Sequence, residues 1–191
     1  MAISEYQKAV RINPWEQTYY QNLAKIYQDV TLLIPDKIQR IRLLEKSVAV
    51  YKKHLELVPQ DALSHNGLGV GYVHMAEQLS DQSYYQLAQE SFQRSVERAP
   101  YFLEPYINLG TVLYRLGKKE EALQSYDKAL QVNPYVPLIY LNLGNLYAQE
   151  GEIRKAIGYW QDALDLDPNL GEARRNIEMN RKFIEEPLGK E

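Results

Sequence analysis

Side chains able to do chemistry are sparse in this chain of 191 residues, which has no cysteine and only three histidines, His54, His65 and His74. Without a thiol there is no disulfide framework, no cysteine-ligated zinc and no cysteine nucleophile. Nine positions separate His65 from His74. On one helix that is about two and a half turns, so the two rings point roughly oppositely and cannot share a metal. No His-Glu-x-x-His, Gly-x-Ser-x-Gly or phosphate-loop motif occurs. Gly67, Gly69 and Gly71 alternate, but inside a segment with helical patterning. Glu185 and Glu186 read as solvated tail rather than as paired catalysts. The expectation is a protein that is not an enzyme and carries no metal and no cofactor. With 22 basic against 25 acidic residues and a net charge of -3, it lacks the basic footprint of a nucleic-acid binder.

No membrane segment is expected either. Residues 1–10 lack the basic start and apolar core of a secretory leader. The longest uncharged run, Gln131 to Gln149, is interrupted by Asn133, Pro134, Pro137, Asn142 and Asn145, so it does not read as a spanning helix. The chain is therefore read as soluble, without direct membrane insertion. The absence of cysteine fits the cytoplasm and is compatible with a bacterial periplasmic or other extracytoplasmic side.

The elements that position these residues come from a repeat. Pro100, Pro134 and Pro168 stand 34 residues apart. The segments that begin at Tyr106 and Tyr140 align without a gap: YINLGTVLYRLGKKEEALQSYDKALQVNP and YLNLGNLYAQEGEIRKAIGYWQDALDLDP. In a register opening at Leu103, Tyr106, Leu109, Gly110, Leu113, Ala122, Tyr126, Ala129 and Pro134 recur as Tyr140, Leu143, Gly144, Tyr147, Ala156, Trp160, Ala163 and Pro168 in the next. This pattern resembles the tetratricopeptide repeat, whose unit of 34 residues is two antiparallel helices. The same register opens at Gln17 (Tyr20, Leu23, Ala24, Tyr27, then Ser47, Tyr51, His54, Pro59) and at Ala62 (His65, Leu68, Gly69, Tyr72, then Ala88, Phe92, Ser95, Pro100). These two repeats carry 11 and 7 extra residues, roughly three and two helical turns, placed at the hairpin tips.

The resemblance implies an all-α solenoid, a right-handed superhelix of helix pairs forming one domain. Its parts are a half repeat over 1–16, repeats over 17–61, 62–102, 103–136 and 137–170, a polar capping helix over 171–186 and a tail over 187–191. His54 and His65 then fall in the core, and His74 faces the inner surface. Trp15, Tyr101 and Tyr135, which follow the repeat prolines, are expected at the repeat junctions. The opening half repeat bears Ile3 and Val10 without a cap. Two explanations compete: a fragment of a longer protein, which is preferred, or self-association through this bare helix.

In this family the first helices line a concave groove that holds partner peptides. The resemblance places Asn22, Lys25, Asn66, Val70, Val73, Asn108, Thr111, Tyr114, Arg115, Leu141, Asn142, Asn145 and Asn176 on it. Gln21, Gln28 and Asp29 add polarity, and Ile107 adds an apolar point. Asparagine amides both donate and accept, which suits an extended backbone; the alternative is that they bond neighbouring repeats. The lysine-asparagine clamp with which some members hold acidic chaperone tails is absent, since Gln21, Asn66, Ile107 and Leu141 occupy its lysine position. The expected function is a protein–protein interaction scaffold for a peptide with apolar anchors at its centre. The alternative is a docking or regulatory segment of a larger enzyme, such as a bacterial surface-polysaccharide ligase or polymerase, or a glycosyltransferase.

Overall fold

The computed structural model describes residues 2–13 and 16–180, and every regular element among them is helical. The helices are α1 (Ala2–Ile12), α2 (Gln17–Thr31), α3 (Lys37–Leu57), α4 (Ala62–Leu79), α5 (Ser83–Arg98), α6 (Leu103–Arg115), α7 (Lys119–Val132), α8 (Pro137–Gln149), α9 (Ile153–Leu166) and α10 (Gly171–Met179). Pro14, Trp15 and residues 181–191, with the end of the expected cap and the tail, lie outside the described residues. The chain forms two compact units, one through Lys118 and one from Lys119 on. No described helix is long and apolar enough to cross a membrane.

First helices open at Gln17, Ala62, Leu103, Pro137 and Gly171, the residues at which the repeat register restarts. Local chemistry explains several of the helix ends. The Asp36 and Asp61 carboxylates accept from the backbone N–H groups of Gln39 and Ser64, satisfying donors that a helix N-terminus otherwise leaves bare. Pro137 stands where a first-turn N–H has no intrahelical partner to lose. Gly117 and Gly151 take φ of 76° and 78°, and the residue after each donates back across the turn, Lys118 to the Leu113 carbonyl and Glu152 to the Tyr147 carbonyl, both at 2.9 Å. Ser80 makes the same turn at φ 56° without being a glycine, with Asp81 donating to Ala76.

In the first unit α2 packs on α3, α4 on α5, and α3 and α5 on the first helices that follow them. In the second, α8 packs on α9 and α9 on α10. The helices of a pair come close because one lacks a side chain where the other inserts a ring. A Cβ on Gly69 would overlap the Phe92 ring, and one on Gly144 the Trp160 indole. Gly67 does the same for α3, since its Cβ would fall inside the Tyr51 ring. At Gly71 a Cβ would lie 3.0 Å from Gln28 Nε2 and 3.1 Å from Val48 Cγ2. These contacts account for two glycines that helix pairing within a repeat does not explain.

Two small-residue positions hold serine, buried because each hydroxyl donates to the partner helix: Ser47 to Ala24 O at 2.8 Å and Ser95 to Ala62 O at 2.7 Å. In the second unit Tyr147 stacks on Tyr159 with centroids 5.3 Å apart, and the Lys155 ammonium lies 3.8 Å from the Tyr147 centroid. The extra residues of the first two repeats lengthen helices: α3 has 21 residues against 14 in α7 and α9, and α4 has 18 against 13 in α6 and α8.

One expectation fails. Tyr101 and Tyr135 do not pack at junctions; they are 90% and 77% exposed. Turns aim them outward: Phe102 N–H donates to Ala99 O, and the Asn133 side chain accepts from Tyr135 N–H. The next residues, Phe102 and Val136, are the half-buried ones. Trp15, the third member of that set, is not described.

Three substitutions test this packing. Gly67→Ala gains about 1 kcal/mol of helix propensity but overpacks Tyr51, which costs about 1–3 kcal/mol, so its melting temperature falls. Gly144→Leu falls further, since a larger side chain meets the Trp160 indole. Gly158→Ala, where a Cβ meets nothing within 4 Å, rises by the propensity term alone. Thermal melts by circular dichroism read all three.

Candidate functional site

The first helices of the unit through Lys118 are neighbours: α4 packs against both α2 and α6. Asn22, Lys25 and Arg115 are exposed, and Asn66, Val70, Val73, Asn108, Thr111 and Tyr114 half-buried. Asn108 Nδ2 donates to Asn66 Oδ1 at 3.1 Å, tying α6 to α4, and Thr111 Oγ1 donates to Ile107 O. In the other unit Asn142, Asn145 and Asn176 are half-buried. Asn145 Oδ1 accepts from both Asn176 Nδ2 at 2.9 Å and Trp160 Nε1 at 3.0 Å, and its amide donates to Glu172 Oε1.

So Asn108 and Asn176 bond a neighbouring first helix, the second of the two roles that the sequence leaves open for them. A side-chain amide has further donor and acceptor capacity beyond one such bond. Leu141 is 3% exposed and serves packing instead of lining a ligand surface; Ile107 is buried likewise. Gln28 is also buried, because its amide donates to Gly67 O at 2.8 Å. These positions turn inward where the neighbouring helix approaches closely, which repeat register alone does not report.

A second recess lies on the other helices of the first unit. It encloses about 670 Å³ between α3 and α5, over a floor of His65, Leu68 and Tyr72, with Leu55 and Leu87 on its walls. Lys52 lies over the Tyr72 ring at 5.6 Å. Its rim mixes Glu56, Glu90 and Glu97 with Lys52, Arg94 and Arg98. α5 supplies much of its lining, with the C-terminal half of α3 and the N-terminal half of α4.

The histidines are structural. His65 Nε2 donates to Pro59 O at 2.9 Å. His74 is half-exposed, 3.6 Å from Glu77. His54 is fully buried, stacked on Tyr20 with centroids 5.7 Å apart, its Nδ1 2.6 Å from Ser64 Oγ and 3.6 Å from Asp61 Oδ2. The Ser64 hydroxyl bonds to the Asp61 carboxylate, which only accepts, so Ser64 Oγ accepts from His54 Nδ1–H. His54 Nε2 is then a bare lone pair, buried without a hydrogen-bond partner. Serine, histidine and acid here do not form a hydrolytic triad. In a triad the acid and the nucleophile take opposite ring nitrogens, whereas Ser64 and Asp61 share one, and Ser64 is wholly buried. No group of three or more His, Asp or Glu among the described residues could hold a metal.

Electrostatics follows burial. Desolvation pushes the Tyr51 phenol up to about 12, with Asp29 and Asp61 adding to the effect. At Asp61 burial acts upward, but hydrogen bonds from Ser64 and Gln21, with His54 nearby, outweigh it and hold the carboxyl below its ordinary value. Desolvation lowers His54 below its usual 6.5, partly opposed by Asp61. The unfolded chain therefore binds the His54 proton more readily than the folded one. The stability this contributes is present above pH 6.5 and is lost as pH falls through the lower folded value. Unfolding free energy from denaturant melts should decline as pH falls below 6.5 in the native sequence. It should decline less steeply in His54→Asn, which cannot titrate.

Residues 110–151 match the family model described as TPR repeat, and residues 137–170 match the one described as Tetratricopeptide repeat. No curated protein matches the chain. Solved structures similar to it include that of MamA, 22% identical, covering 90% of this chain and 90% of that one with a TM-score of 0.69. Another is TTC0263, a thermophilic TPR protein in Thermus thermophilus, 20% identical, covering 93% of this chain and 88% of that one with a TM-score of 0.75. At these identities the likeness is one of fold. Residues 110–170 thus match tetratricopeptide repeat models, and with a register that restarts at five helix starts the chain has the all-α helical-repeat fold of tetratricopeptide repeat proteins.

Proposed function

We propose that the chain is a protein-interaction scaffold whose first helices α2, α4 and α6 present a surface for a partner peptide. The observation that carries this reading is the composition of that face. Val70, Val73 and Tyr114 stay half-exposed on it, although they are apolar or aromatic. Asn22, Lys25, Asn66, Asn108, Thr111 and Arg115 surround them with donors and acceptors. An apolar centre with a polar rim is the usual anatomy of a protein-binding patch. A peptide with apolar anchors opposite Val70 and Val73, and backbone groups near Asn66 and Asn108, fits it. Within the second unit Asn142, Asn145 and Asn176 are polar points of the same kind.

Photocrosslinking tests the assignment. A photoreactive residue placed at Val73 should capture a discrete partner in cells, and one at Gln86, exposed on the second helix α5, should not. Val70→Glu with Val73→Glu should lower the affinity for the captured partner about tenfold, since central apolar contacts dominate such interfaces. Equal capture from both positions, or unchanged affinity, would remove α4 from the binding face.

A further inference from the structure

The two most exposed aliphatic side chains among the described residues are not on either helix face described above. They stand where α2 gives way to α3. Leu32 and Leu33 are each 79% exposed, and Ile38 beside them 62%, with Ile34 half-buried and Pro35 exposed between them. A contiguous apolar tip of this kind on a chain of mean hydropathy -0.48 calls for a function.

Several backbone groups of the tip are already bonded within the protein. Leu32, Leu33 and Ile34 donate their N–H groups to Asp29, Val30 and Thr31 carbonyls, and Pro35 has none to donate. The Arg40 guanidinium donates from Nη1 to both Ile34 O and Pro35 O at 3.0 Å, and from Nε to Gln78 Oε1. Those groups can therefore leave bulk water without being stranded, which suits entry into a headgroup region. Its own stretch is basic, with Asp29 and Glu45 flanking it. Between 32 and 44 stand Lys37, Arg40 and Arg42 against one acid, Asp36, in a chain whose net charge is -3. Asp36 is engaged in capping α3, and α4 adds Glu77, which lies 3.6 Å from His74. Lys37 and Arg42 are exposed.

We propose that this tip is a peripheral membrane contact, in which Leu32, Leu33 and Ile38 enter the headgroup region of an anionic bilayer while Lys37 and Arg42 pair with lipid phosphates. Aliphatic insertion and a basic collar act together at such interfaces, each weak alone. A protein partner fits the tip less well, because binding hot spots favour tryptophan, tyrosine and arginine over leucine, and the tip itself is purely aliphatic. The contact is shallow and needs no spanning segment, and it amends the sequence-based expectation of no direct membrane insertion. It is independent of the peptide-binding face.

The test is flotation of the full chain with phosphatidylcholine vesicles, with and without phosphatidylglycerol. The chain should float only with the anionic vesicles. Leu32→Ser with Leu33→Ser, at exposed positions that leave the melting temperature unchanged, should lower binding about tenfold, as should Lys37→Glu with Arg42→Glu. A Leu33→Trp reporter should shift its emission to the blue and be quenched by brominated lipid acyl chains. The proposal is overturned if the native chain does not float, or if the serine pair floats equally well. It is also overturned if the tryptophan stays in water, or if the tip variants abolish capture of a protein partner while no vesicle binding occurs.

Discussion

Two helix backbones can lie side by side only as closely as the side chains between them permit. In this chain the separation is set where one helix carries no side chain and its partner supplies a ring: Gly69 against Phe92, Gly144 against Trp160. The flanking alanines and serines keep the rest of each seam thin. Because rings fill the space that the glycines vacate, the seams are well packed, and dense interiors tolerate little change of volume. The exposed residues of the first helices owe their positions to this fixed geometry. Moving α4 away from α5 would carry Val70 and Val73 with it.

The first unit extends the same device with polar groups. α4 is approached by α5 at Gly69, by α3 at Gly67 and by Gln28 of α2, whose amide reaches the Gly67 carbonyl. Around the start of α4, Gln21, Asp61, Ser64 and His54 join α2, α3 and α4 through one connected set of hydrogen bonds. Such a network is directional, so it fixes the rotation of the three helices about their axes, which apolar contact alone leaves softer. It also leaves an unpartnered atom, His54 Nε2, and a histidine kept from its ordinary protonation. Specific geometry is gained there at some cost in stability.

Much of this was legible in the sequence. The 34-residue spacing and the small and aromatic positions locate every first helix, because they encode the seams themselves. Gly117 and Gly151 mark turns that require positive φ. What the register could not show is how the extra residues of the first two repeats change neighbours. Gly67 and Gly71 have no evident purpose until the Tyr51 ring and the Gln28 and Val48 side chains are seen against them. Gln28 and Leu141 occupy positions the register turns toward a groove, yet each is claimed by packing or by a buried hydrogen bond. Tyr101 and Tyr135 failed for a local reason, the direction of a turn, to which apolar periodicity is blind. The asparagines were undecidable from type alone, since one amide serves equally for a ligand backbone or a neighbouring helix.

The exposure of Leu32 and Leu33 escapes the register for the same reason. An apolar residue in a sequence signals burial only if some element covers it, and the connection between α2 and α3 is covered on the side of Arg40 and Gln78 but not at its tip. Arg40 makes the difference. By occupying the carbonyls of Ile34 and Pro35 it reduces the loop's demand for water. The added turns of α3 and α4 are what bring Arg40 and Gln78 together. The lengthening thus builds the tip. In the first unit, departure from the regular repeat exposes an apolar surface that the register does not foretell.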